Sequence, residues 1–240
     1  GLMSAQWIIE GEPEFDMFPW DLTRFGHWAD KRFIQEKVAD QYSNRFAIHF
    51  PFEERDSGRE TRTRPIYQRQ KEMGAVHGLN FGWEHPLWFA DYQGASDTNG
   101  FTRQNWWGPV GEECKMLREH AGIIDISNFA KYICKGPGAS DWLNAIFANN
   151  MPKAVGRSCL TPLIGKRGGI AGDFTVTKLA EDEFWIIGSG MAERYHKRFF
   201  KQVSLPTGTT FESRTNEMCG FNIAGPKSRN MLQCLTNASL

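Results

Sequence analysis

The sequence predicts an α+β fold with mostly antiparallel pairing, on three observations. From about Gly111 onward, short helical and strand-like patterns alternate in compact units. Two apolar runs, 173–179 and 184–187, flank the polar pair Glu181-Asp182 in the manner of a hairpin. The glycines at 165, 168, 169 and 172 fit neither GxGxxG before a helix nor GxxxxGK[ST], so they give no sign of a nucleotide-binding parallel sheet.

The elements are read in order. Asp30 to Arg45 has helical periodicity, with Phe33, Ile34, Val38 and Tyr42 near one face. The Gly- and Arg-rich stretch from Asp56 to Pro65 reads as a loop. Residues 66–108 carry four tryptophans, Trp83, Trp88, Trp106 and Trp107, and an exposed polar loop from Asp91 to Gly100. Glu112 to His120 reads as a helix closed by Gly122. Strands follow at Ile123–Ser127 and Lys131–Lys135, then a helix at Ser140–Ala148 with Trp142, Leu143, Ile146 and Phe147 inward. A strand at Cys159–Ile164 ends in the turn 165–169. The next strand sets Phe174, Val176 and Lys178 against Thr175 and Thr177. An amphipathic helix at Ala192–Val203, strands at Phe211–Thr215 and Cys219–Ala224, and a helix from Pro226 to Leu235 complete the pattern.

Composition narrows the function classes. Lys plus Arg equals Asp plus Glu at 28 each, so bulk charge favours neither nucleic acid nor an anionic membrane as partner. No apolar run approaches the roughly 18 residues of a membrane span. The five cysteines, at 114, 134, 159, 219 and 234, form no CxxC and are odd in number. Free thiols in a reducing, intracellular compartment are expected, with neither a disulfide framework nor a zinc site. The six histidines show no metal-ligand spacing and read as surface or hydrogen-bonded structural residues. Both ends of the sequence look cut: Gly1 brings no Met or targeting segment, and Leu240 stops just after a helical pattern.

The most chemical-looking segment is Leu160 to Val176, where an acidic residue, Asp173, opens an apolar strand just after a glycine-rich turn. Glycines let a backbone approach a ligand closely. A carboxylate there could accept hydrogen bonds from an aminopyrimidine ring or hold a cationic amine. A solvated aspartate at a strand start fits the same spacing. Arg59, Arg62 and Arg64 read as a solvated loop in preference to a phosphate site, and the tryptophans either stack a flat ligand or form a domain-interface core. Ile223 to Lys227 joins a strand to a helix; its exposed helix N–H groups could bind an anion, but it reads first as a plain helix start.

Whole segments carry a family resemblance. The stretch Ala5 to Met17, with Asp21 to Phe25, resembles the element that follows the flavin domain in dimethylglycine and sarcosine dehydrogenases. Arg64-Pro-Ile-Tyr67 and Gly82 to Phe89 resemble the start of their folate domain. Asn105 to Glu113, Ile124 to Ser127 and Phe147 to Asn150 continue in the same order. Gly168 to Ser189 and Asn222 to Arg229 are similar to the aminomethyltransferase of the glycine cleavage system.

The resemblance implies an aminomethyltransferase-like folate-binding domain, truncated, with antiparallel sheets and flanking helices. It would occupy residues 61–240, behind a connecting element of a flavin oxidoreductase at 1–60. It implies FAD in a domain upstream of this sequence, tetrahydrofolate as the second cofactor, and a methylated amine such as dimethylglycine or sarcosine as substrate. Asp173 falls on the family's catalytic folate aspartate. Phe129, Leu160, Thr175 and Ser189 fall on pterin-contacting positions, although Leu160 replaces a tyrosine and Ser189 an asparagine of the aminomethyltransferase branch. The location expected is the bacterial cytoplasm or the mitochondrial matrix. Two alternatives stay open: a tetrahydrofolate-dependent demethylase without flavin chemistry, and a non-catalytic folate-binding module.

Overall fold

The computed structural model describes every residue from Gly1 to Leu240 except Glu12 and Asp16, which belong to the 5–17 segment above and lie outside the described residues. In chain order the first elements are α1 (Leu2–Glu10), α2 (Lys31–Ser43), α3 (Tyr67–Glu72), β1 (Ala75–Asn80), β2 (Trp83–Phe89) and α4 (Trp107–Glu119). Then come β3 (Gly122–Asp125), β4 (Ala130–Lys135), α5 (Ala139–Ile146), β5 (Ser158–Ile164), β6 (Ile170–Ala180) and β7 (Glu183–Gly188). The chain closes with α6 (Glu193–Phe200), β8 (Thr210–Ser213), β9 (Phe221–Ala224) and α7 (Ser228–Gln233). Among the described residues no helix is long and apolar enough to cross a membrane.

Two compact units emerge, and neither is continuous in sequence. The first joins residues 1–26 to 133–212; the second joins 27–132 to 213–240. The chain crosses from one to the other within β4 and again within β8.

In the first unit the sheet order is β5-β6-β7-β4-β8. β5, β6 and β7 form an antiparallel meander, as the hairpin pattern predicts. The inward residues of β6 and β7, Phe174, Val176, Phe184 and Ile186, are fully or almost fully buried. Helices α5 and α6 bring Trp142, Leu143 and Phe200 to the same core. Its aromatic rings meet edge to face or tilted: Phe147 lies 5.1 Å from Phe174, Phe174 5.7 Å from Phe200, and Phe200 4.7 Å from Phe211. The amphipathic pattern at 192–203 thus does supply a core-covering helix, although it ends at Phe200.

The second unit is built on the hairpin β1–β2, the pair β3–β9 and helices α2, α3 and α4. Asp30 caps α2, accepting the Phe33 N–H at 2.8 Å, which is why the helix starts at Lys31. Only Phe33 of its predicted apolar face is buried; Ile34, Val38 and Tyr42 are exposed. Helix α4 begins at Trp107, five residues before the predicted start, because Pro109 in the first turn has no intrahelical N–H to lose.

The three arginines of the 56–65 loop are not solvated. Arg59 pairs with the fully buried Glu84 carboxylate at 2.6 Å and donates to the His77 carbonyl at 2.7 Å. Arg64 is buried and donates to the Thr215 carbonyl. Arg62 and Arg64 each stack on Trp83, 3.8 Å and 3.4 Å from its ring centroid. The acidic and aromatic partners lie on β2, so the loop is drawn in by a strand distant in sequence.

Candidate functional site

The alternation along β6 sends Phe174, Val176 and Lys178 into the first unit and leaves Asp173 and Thr175 exposed. Strand register then places Leu160 opposite Thr175, and Ile187 opposite Thr175 on the other side. Pro162 sits opposite Asp173. Residues directly opposite one another share a face. Leu160, Asp173 and Thr175 therefore lie together on the outer face of the meander, away from the core. Ser189 follows Gly188, the residue of β7 that pairs with Phe174, and lies just past the end of that strand.

Three of the five candidate residues, Leu160, Asp173 and Thr175, thus share one sheet face, and Ser189 lies just past the end of the neighbouring strand. Phe129 belongs to the second unit. It is half-exposed and ends a tight turn in which its N–H donates to the Ile126 carbonyl at 3.1 Å.

Asp173 does not open its strand. The turn closes at Gly165–Gly169, and the ladder resumes with Ile164 paired to Ile170. The next pairs are Leu163 to Gly172 and Pro162 to Asp173, so Ala171 is an extra residue, a one-residue bulge just before Asp173. Bulges commonly re-aim a side chain, and sequence reasoning missed this one because it exists only relative to β5.

The chemistry available on this face is specific. Asp173 is exposed, and none of its carboxylate oxygens is taken up by a hydrogen bond or ion pair among the described residues. Thr175 adds a hydroxyl two residues along, and Leu160 adds an apolar surface that is 67% exposed. An acceptor beside a flat apolar patch fits a planar ring that carries N–H donors. Asn149 buttresses the patch: its side chain donates to the Leu160 carbonyl at 2.7 Å, and its N–H donates to the buried Thr161 hydroxyl at 3.0 Å.

Beneath the strand, on the core side, His196 is almost fully buried. Burial holds its imidazole below the usual histidine range, partly offset by the bond to Ala171 and by the Asp173 charge. A separate cavity of about 660 Å³ opens between α1, the 165–171 turn and α6. None of the candidate residues lines it. The acceptor chemistry lies on the open sheet face, and that face, not the cavity, is the candidate site.

Metal and flavin chemistry find less support among these residues. No group of three or more His, Cys, Asp or Glu side chains is placed to hold a metal among the described residues, and the five cysteines are free thiols. The glycine-rich turn joins two antiparallel strands, so it does not present a helix N-terminus to a flavin pyrophosphate.

Comparisons with known proteins identify the family. Residues 10–63 match the FAD dependent oxidoreductase central domain. Mitochondrial dimethylglycine dehydrogenase of Mus musculus is 33% identical over all of this chain, and mitochondrial sarcosine dehydrogenase of Homo sapiens is 26% identical over 98% of it. The chain spans only 28% and 30% of the length of these two relatives. The crystal structure of glycine cleavage system aminomethyltransferase T from Bartonella henselae aligns with a TM-score of 0.60 at 22% identity, covering 72% of this chain and 43% of that one. That likeness bears out the α+β architecture. The GCVT N-terminal domain matches residues 66–240, most of the sequence, and the chain belongs to this family.

Proposed function

We propose that this chain is the folate side of an oxidoreductase that demethylates an N-methyl glycine derivative, dimethylglycine or sarcosine, and passes the one-carbon unit to tetrahydrofolate. The observation that carries the reading is the gathering of Asp173, Thr175 and Leu160 on one exposed sheet face, with Ser189 just past the end of the adjoining strand. The match of residues 10–63 to a flavin oxidoreductase domain favours it over a stand-alone demethylase or a non-catalytic folate module. In this reading residues 1–60 connect to a flavin-binding part of a longer chain, and 61–240 form the N-terminal part of the folate domain. The protein works in the bacterial cytoplasm or the mitochondrial matrix; the dimethylglycine and sarcosine dehydrogenase relatives are named as mitochondrial.

Bound tetrahydrofolate supplies the nucleophilic nitrogens that take up the one-carbon unit. The chain's own residues orient it. Asp173 accepts N–H bonds from the pterin and offsets positive charge as it develops nearby. Leu160 would offer the cofactor an apolar surface, and Thr175 and Ser189 would offer it hydroxyls. FAD is held outside this chain.

In the full-length enzyme, Asp173→Asn is expected to leave amine oxidation intact and to impair capture by tetrahydrofolate, with the carbon released as formaldehyde. Losing a charged hydrogen bond costs about 1.5–3 kcal/mol, roughly a 10- to 150-fold loss in transfer. Parallel assays of substrate oxidation, formaldehyde and methylenetetrahydrofolate read this out. Transfer at the parental rate would remove Asp173 from the site.

A further inference from the structure

We infer that His196 is a positioning residue for Asp173: by holding the carbonyl of the bulged residue Ala171, its buried imidazole fixes the register that turns the Asp173 carboxylate outward. The functional consequence rests on the folate reading above; the structural consequence does not.

Two constraints act on β6 from opposite ends. The Gly165–Gly169 turn sets Ile164 against Ile170. The apolar residues Phe174 and Val176 set the register further along by their burial. The two registers differ by one residue, and the excess is absorbed at Ala171. Carrying the turn's register forward would put Asp173 opposite Thr161, which is fully buried, and Phe174 opposite the exposed Leu160. If the extra residue were taken up nearer Phe174, Asp173 itself would fall out of register. The location of the bulge therefore decides where the carboxylate points.

His196 is the side chain that holds it there. It projects from α6 into the core, with its ring 4.7 Å from Phe174 and 5.9 Å from Tyr195. Its Nε2 lies 3.1 Å from the Ala171 carbonyl oxygen, which makes Nε2 the protonated nitrogen of a neutral ring. The Nδ1 atom is buried with no hydrogen-bond partner among the described residues, so this nitrogen adds nothing to the polar satisfaction they show. What the ring gains over an apolar side chain is the single bond to the bulge. Gly172 makes the approach possible: a Cβ there would stand 2.4 Å from Nε2.

The test uses two readouts on the 240-residue chain, each variant first shown to unfold cooperatively. In the first, the thiol introduced by Asp173→Cys is labelled in the native protein and mapped by peptide mass spectrometry. Labelling is expected to be fast with His196 present, several-fold slower with His196→Phe, and restored by His196→Gln, whose amide can still donate. Gly172→Ala displaces the ring without removing it and is expected to slow labelling too, which keeps the test decisive if His196→Phe does not fold. Unchanged labelling in either variant overturns the inference.

In the second readout, calorimetry measures tetrahydrofolate binding. Asp173→Asn and His196→Phe are each expected to weaken it about tenfold or more, with no further loss when combined. Additive losses would also overturn positioning. If Asp173→Asn binds normally while labelling still responds to His196, the folate reading fails and the positioning role stands. If Asp173→Asn weakens binding but His196→Phe changes neither readout, the reverse holds.

Discussion

Removing the Arg59 guanidinium should destabilise the second unit more than most single substitutions can. Arg59 binds both oxygens of Glu84, at 3.0 Å through Nε and 2.6 Å through Nη2. The Glu84 side chain has no solvent exposure and the Arg59 side chain only 24%. Arg59→Met would keep most of the stem's packing and leave a carboxylate buried without its cation. Breaking a buried pair in this way costs about 3–5 kcal/mol. Glu84 keeps one donor, the Glu60 N–H at 2.6 Å, which argues for the lower end of that range. Against a typical stability of about 5–15 kcal/mol, the loss is large. With urea m-values of about 1–3 kcal/mol/M, the midpoint should fall by at least about 1 M. Tryptophan fluorescence is a suitable probe, since Trp83 adjoins Glu84 and stacks on Arg62 and Arg64. The companion variant Arg59→Met/Glu84→Gln removes both charges while keeping an acceptor for the Glu60 N–H. It should recover at least half of the lost midpoint. A single-variant shift within experimental error, or no recovery in the double variant, would show that Glu84 is not a desolvated charge dependent on Arg59.

Acid should weaken the fold before the carboxylates titrate. Burial lowers the pKa of His77, His85 and His196, with nearby carboxylates offsetting part of the shift. Because the folded values lie below the unfolded one, the folded chain binds fewer protons. This stability is fully present above about pH 6.5 and is lost as pH falls through the folded values. The urea midpoint should drop between about pH 6.5 and 5; a constant or rising midpoint across that window contradicts the assignment. Thiol reactivity should follow burial. Cys134 is fully buried and its thiol is pushed up to about 12, whereas Cys114 and Cys234 are exposed. Iodoacetamide should modify Cys114 and Cys234 in the native chain and Cys134 only on unfolding, and equal rates by peptide mapping would refute this.

What was legible in the sequence was local. The two-residue period of β6 places even a charged residue correctly: Lys178 is buried, with its ammonium on the Lys153 carbonyl at 3.2 Å and on Glu181 at 3.1 Å. The β6–β7 hairpin and α5 also stand where their patterns put them. The hairpin β1–β2 was missed among the tryptophans, since Gly78 and Pro86 blur its alternation. Its turn had a readable signal, Asn80-Phe81-Gly82, in which Phe81 and Gly82 both take positive φ. The rest depends on partners far along the chain. Arg59 and Arg64 look solvated until Glu84 and Thr215 arrive. The face occupied by Asp173 follows from a bulge that only β5 reveals. The residue types at the candidate site could be read from resemblance, but their convergence on one face required the register.

The interrupted second unit has a consequence for how the chain is made. Strand β3 pairs with β9, Gly122 against Ala224, across the whole intervening first-unit segment. The seam beside it is fastened by the Lys131 N–H to the Thr215 hydroxyl at 3.0 Å, and by Arg64 to the Thr215 carbonyl. During synthesis every residue from 133 to 212 must leave the ribosome before any of these links can form. The β5–β6–β7 meander needs only neighbours and can close early, shortening the span that remains to be bridged. Until β9 emerges, β3 waits with an unpaired backbone edge. A nascent chain that has emerged only as far as Glu212 would therefore carry a finished meander and an open strand, the kind of nascent-chain surface that chaperones bind.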